Sequence, residues 1–296
     1  MRPVLIFVIL FLCPFCAGSW GFFAHMRINE LAVFTLPEGM YTFYKQNRRY
    51  LRNHAVDPDK RRYADTSEAA RHYLDVEHYE VCIDSIPRKY PDAVKKYGLK
   101  KMSQSGILPW QIQQSYYKLV RAFQERDSAK ILIYSAYLGH YLSDAQVPLH
   151  TTANHDGQLS GQQGIHAFWE SRLPELFSED YNFLLGKAQY ISDPLEEAWK
   201  MVSKTHLLVD SVLQLDSVLN SSFPIYRKYG YSKRKNKVIK QHTEGYSRLY
   251  HDSMKHMVER QMREAIRKTG AYWYSAWVDA GQPTLKGFPL QPVPLP

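Results

Sequence analysis

Apolar residues recur at helical spacing through most of the chain. Ile28, Leu31 and Ala32 form a stripe within 27–34, with Leu36 just beyond and Pro37 closing the run. A second stripe, Ile112, Tyr116, Leu119, Val120 and Phe123, predicts a helix over 109–124. A third, Ile131, Ile133, Ala136, Tyr137 and Leu142, predicts one over 128–145. Further helices are expected over 164–177, with an interruption near Pro174, and over 194–219 and 243–276. Period-two alternation with β-branched enrichment is scarce, so no sheet is expected. The segment 151–164 is rich in Gly, Gln, Ser and Asn and reads as a loop. The tail 281–296 carries five prolines and cannot be helical. The fold class expected is all-α, a single domain of packed helices over 20–280, followed by a Pro-rich tail.

The first residues stand apart from this pattern. Met1 and Arg2 precede an apolar run from Val4 to Phe15, and Ala17-Gly18-Ser19 follows with small side chains. The run is well short of the ~20 residues needed to span a bilayer. It reads as a secretory signal over 1–19, cleaved between Ser19 and Trp20, which implies a secreted or periplasmic protein. Cys13 and Cys16 would leave with the signal, so Cys82 remains alone and no intrachain disulfide can form. A net charge of +9 favours anionic partners without choosing among them. Much of the excess sits in 227–240, which reads as a solvated loop.

Candidate chemistry lies on the third stripe. His140 and Asp144 are four apart and leave the same helix face, and His150 follows just after Pro148, where the helix must bend or end. Beyond the loop, His166 and Glu170 repeat the spacing. Imidazole nitrogen and carboxylate oxygen are ligands that zinc accepts. Each pair alone is weak, because 12 histidines and 29 acids produce chance matches. Cleavage before Trp20 would add a free α-amine, a nitrogen donor absent from the precursor, with His25 five residues on.

Taken together these residues resemble the superfamily that joins bacterial zinc-dependent phospholipases C with fungal and plant single-strand-specific nucleases. The resemblance runs from Trp20 to about Leu176 and is strongest from His140 to His150, a His-x3-Asp-x5-His segment with Pro-Leu before the last histidine. It implies three zinc ions. Asp57, His72, His140 and Asp144 would hold the first, and His150, His166 and Glu170 the second. The Trp20 amine and carbonyl, His25 and bridging Asp144 would hold the third. It further implies a phosphodiesterase in which zinc-activated hydroxide attacks phosphorus, with Asp57 orienting the water. Asp65, seven residues before His72, is too close for the family's upstream acid.

Substrate is where the resemblance divides. In the nuclease branch the positions of Tyr73 and Asp75 help hold a base. The short 151–164 loop, and Glu170 where nucleases carry Asp, are closer to the phospholipases. Lys60 and Arg61 are candidate phosphate contacts under either reading, and His155 a substrate contact from the loop. No stable protein partner is implied, and a monomer is expected. The competing expectation is a zinc-stabilised exported binding protein without turnover.

Overall fold

The computed structural model describes residues 21–234 and 237–288. The proposed signal segment, Trp20 and the last part of the Pro-rich tail lie outside them. Among the described residues the protein is helical apart from one two-stranded sheet.

Five helices build the frame: α1 (Phe22–Ala32), α2 (Leu108–Gln124), α3 (Ser128–Asp144), α4 (Pro194–His206) and α5 (Met257–Asp279). The α2 and α3 stripes predicted above are buried at Ile112, Tyr116, Leu119 and Phe123 and at Ile131, Ala136 and Leu142. Asp127 caps α3 by accepting the Lys130 amide, and Asp193 caps α4 by accepting those of Leu195 and Glu196. α5 packs across α1, α2 and α3, where the Trp273 indole donates to the Ser135 carbonyl at 2.9 Å. Large buried aromatics of this kind each contribute roughly 1.5–3 kcal/mol, enough to hold a rigid frame around buried charge.

The approach of α1 to α3 sets the site. Gly139 faces Asn29, and a Cβ there would collide with the Asn29 side chain, which donates to the Ala136 carbonyl at 3.0 Å. The missing side chain lets α1 lie close enough to bring His25 over His140.

Three expectations change. The stretch 194–219 is two helices, Pro194–His206 and Val209–Ser222, and 243–276 is likewise broken between Ser253 and Met257. At the second break Lys255 and His256 take left-handed φ of 48° and 63°, which no α-helix continues through. The basic run read as a loop contains a hairpin, β1 (Tyr229–Arg234) against β2 (Lys237–His242). Its inner end is fixed by aromatic packing: the His242 ring stacks 3.8 Å from that of Phe168.

Candidate metal centre

Three groups of side chains converge where α1, α3 and the segments around 59–72 and 150–170 meet. Their potential ligand atoms lie within 4.8 Å of one another: His25, His140 and Asp144; Asp59, His72 and His140; and His150, His166 and Glu170. α3 supplies His140 and Asp144 one turn apart, as the spacing required. It ends at Ala145, and the following 3-10 turn Pro148–Thr151 aims His150 back inward. Glu170 lies in a π-helical turn, Phe168–Arg172, interrupting an otherwise α-helical run. Such turns concentrate at functional sites. Pro174 occupies the first turn of the helix Leu173–Phe177, so it starts that helix and does not break the run.

The upstream carboxylate differs from expectation. Asp59, not Asp57, faces the cluster, with Oδ1 3.7 Å from both His72 Nδ1 and His140 Nε2. Asp57 is held outside by His54 at 2.5 Å and Lys60 at 3.0 Å. The two aspartates are two residues apart on the short helix Asp57–Arg61, so they leave on opposite faces.

Asp144 is the hub. Its Oδ2 is 3.0 Å from His72 Nδ1 and 3.2 Å from His140 Nε2, and its Oδ1 is 3.5 Å from His25 Nε2 and His150 Nδ1. Burial would raise its pKa, but His140 and His150 hold it well below the ordinary carboxylate range. Burial together with the charge of His140 lowers His25 to about 3, and burial lowers His166 to about 4. Both are therefore neutral imidazoles, the form that binds metal. Glu170 goes the other way, pushed up to about 8 chiefly by burial.

The hydrogen-bond pattern fits a cation. His140 Nδ1 donates to the Ala55 carbonyl at 2.8 Å, and His150 Nδ1 donates to the His72 carbonyl at 2.7 Å. Each bond fixes a tautomer whose Nε2 carries a lone pair into the cluster. The His150 lone pair then faces Glu170 Oε2 at 3.5 Å, acceptor against acceptor. Among the described residues, buried Asp144 Oδ1, Glu170 Oε1 and both ring nitrogens of His25 find no hydrogen-bond partner. Opposed buried acceptors are costly unless a cation or proton lies between them. Donors bound tetrahedrally to zinc at 2.0–2.2 Å stand roughly 3.3–3.6 Å apart, close to the spacings seen here. The donor set therefore fits zinc.

Glu68, absent from the sequence expectations, backs the cluster. Fully buried, it lies 3.6 Å from His72 Nε2 and accepts from Arg61, Arg71 and the Tyr141 hydroxyl. Burial opposes its charge, but hydrogen bonds from His72, Arg61 and Tyr141 keep its pKa far below normal. It orients His72, the usual role of a carboxylate behind a metal-ligating imidazole. The arginines flanking Glu68, with His72 four residues on, were the available signal.

The remaining expected residues border the cluster in different ways. The His155 ring lies 6.3 Å from that of His166. The Tyr73 hydroxyl donates to the Gln104 carbonyl at 3.1 Å. Asp75 is largely buried, which with Glu77 raises its carboxyl to about 7. Lys60 is taken up by Asp57 and Arg61 by Glu68. Neighbouring Arg62 makes no side-chain hydrogen bond or ion pair among the described residues, and its charge adds slightly to the burial that chiefly lowers the pKa of His155 and His166. It is the cation the sequence expectations passed over.

Against this geometry the comparisons with known proteins are direct. The zinc dependent phospholipase C family matches the chain over residues 24–233. The chain belongs to that family. Every group of convergent ligands lies inside the matched span, from His25 to Glu170. Among solved structures, the alpha toxin from Clostridium absonum is similar in fold, with a TM-score of 0.50 at 12% identity over 89% of this chain. The chain spans 64% of the toxin's length. No curated protein matches it significantly. Membership accounts for the all-α fold and for a zinc-suited donor set, and the toxin's likeness adds support for the fold alone.

Proposed function

We propose that the protein is an exported phospholipase C that hydrolyses the phosphodiester of a glycerophospholipid with three zinc ions. The observation that carries this reading is the set of buried acceptors around Asp144 and Glu170, with His150 Nε2 3.5 Å from Glu170 Oε2 and Asp144 Oδ1 without a hydrogen-bond partner among the described residues. Zinc bound there would polarise a phosphoryl oxygen and lower the pKa of water.

The chain's own residues do the rest. Asp59 and Asp144 gather negative charge in a buried pocket that attracts dications, and Glu170 would join them once a dication displaced its proton. Backbone carbonyls of Ala55 and His72 hold His140 and His150 in the required tautomer. His166 is 15% exposed at its side chain whereas Asp144 and Glu170 are fully covered, so the third group is the one a substrate can reach. The Trp20 amine is proposed as a further ligand. In support, Gly21 is pressed against Ser171, the residue after Glu170, where a Cβ would not fit. Export is supported by the signal pattern over 1–19.

Assaying the mature protein on phosphatidylcholine, single-stranded DNA and a soluble chromogenic phosphodiester tests the reading. The expected result is three zinc ions and turnover of the lipid and chromogenic substrates. A form starting Met-Trp20 should bind two ions and lose most activity. Three ions with no turnover of any substrate would leave a zinc-braced binding protein instead.

Arg62 is the proposed phosphate contact. Arg62→Ala is expected to raise KM for the soluble diester about 10–100-fold, the worth of a charge-assisted hydrogen bond, whereas Lys60→Ala leaves it unchanged. Equal effects from the two variants would remove Arg62 from that role.

A further inference from the structure

The hairpin β1–β2 and the short helix before it, Ile225–Lys228, carry a surface that the hydrolytic site does not use. Ile225 is 79% exposed, Tyr226 82%, Tyr231 77% and Val238 70%, an unusual concentration of large apolar side chains in water. Register places Tyr231 opposite Lys240 and Lys233 opposite Val238, so these four share one face of the hairpin. Tyr229 and His242 lie on the same face at the inner end, where they pack onto the body. Between Asp216 and Glu244 the sequence holds seven basic residues and no acidic one.

We infer that this hairpin docks the protein on an anionic phospholipid bilayer. Lys233, Lys240 and Arg227 suit an anionic leaflet, and tyrosine favours the headgroup boundary, with its ring in the apolar layer and its hydroxyl in water. Nucleic acid would also attract the charges and stack on tyrosine. It offers little to exposed Ile225 and Val238, which the acyl-chain boundary of a bilayer would bury. The hairpin is anchored close to the metal centre, because His242 stacks on Phe168, two residues from both His166 and Glu170. A bilayer held at this surface is therefore held beside the cluster. Docking does not depend on the hydrolase reading, since it is measured without turnover.

The test is co-sedimentation of the full zinc-loaded chain with phosphatidylcholine vesicles, with and without phosphatidylserine, during short incubation on ice. Wild-type protein is expected to partition onto the phosphatidylserine vesicles and to be released by salt. The pair Arg227→Glu and Lys233→Glu should lower partitioning more than about tenfold. The pair Tyr231→Ser and Val238→Ser should lower it severalfold without changing its salt dependence. Because all four positions are exposed, melting temperature and turnover of the soluble diester should stay at wild-type values. Wild-type protein that ignores phosphatidylserine vesicles, or variants that bind them as wild type does, would overturn the proposal. So would single-stranded DNA binding that is lost in the charge pair while vesicle binding is absent.

Discussion

On the three-zinc reading proposed above, replacing Asp144 with Asn is expected to remove two of the ions and to lower phosphodiester turnover by about 1,000-fold or more. Its two oxygens face different imidazoles: Oδ2 faces His72 and His140, and Oδ1 faces His25 and His150. An amide keeps the shape but loses the charge that balances these imidazoles, and its nitrogen would point a donor at a lone pair. Polarisation by a dication is worth several kcal/mol in such displacements, and 1.36 kcal/mol is tenfold in rate. His25→Ala, by contrast, should cost one ion. Metal content of the two purified variants by elemental analysis, beside their rates on the soluble diester, separates the cases. An Asn variant that kept three ions would show that Asp144 is not shared.

Chelating the metal should lower the melting temperature by about 10 °C or more, with the larger loss at alkaline pH. Metal sites can contribute ~10 kcal/mol to folding, and a chain of this size shifts ~2–4 °C per kcal/mol. The pH direction follows from the shifted groups. Glu170 is raised from 4.5 to about 8 by burial, so its stabilising protonated form is lost as pH climbs across that interval. His72 is raised from 6.5 to about 9, its hydrogen bonds to Asp144 and Glu68 outweighing burial. Its contribution likewise disappears as pH rises through that range. His25 and His166, lowered to about 3 and 4 chiefly by burial, act oppositely: stability present above 6.5 is lost as pH falls toward those values. Metal-free protein should therefore melt lower at pH 8.5 than at pH 6.5, while zinc-loaded protein should not. Thermal melts at the two pH values, with and without chelator, check this, and a chelated protein more stable at the higher pH would contradict it.

Much of the fold was legible because the frame helices bury one face. The stripes of α2 and α3 name their own buried residues, and helical spacing alone placed His140 beside Asp144. The hairpin was not legible, because its outer residues face water and are dominated by charge, leaving no alternation to read. The breaks at Leu207 and at Lys255-His256 lack proline or glycine and fall at exposed residues, so no local signal marks them. In the site, spacing could not separate two aspartates flanking one proline: rotation on a short helix decides between Asp57 and Asp59, and their neighbours His54 and Lys60 claim the wrong one. Glu68 escaped because a buried carboxylate looks like any other until its partners are folded around it.

The π-helical turn at Phe168–Arg172 has a cost written into its geometry. A wider turn places one more residue per loop of backbone, so the helix on its far side is rotated relative to a regular continuation. Removing a single residue there would let the backbone relax into uniform winding and gain better hydrogen bonds. The same relaxation would swing Glu170 away from His150 and His166. At this one bend, steadiness of the chain and competence of the pocket pull in opposite directions.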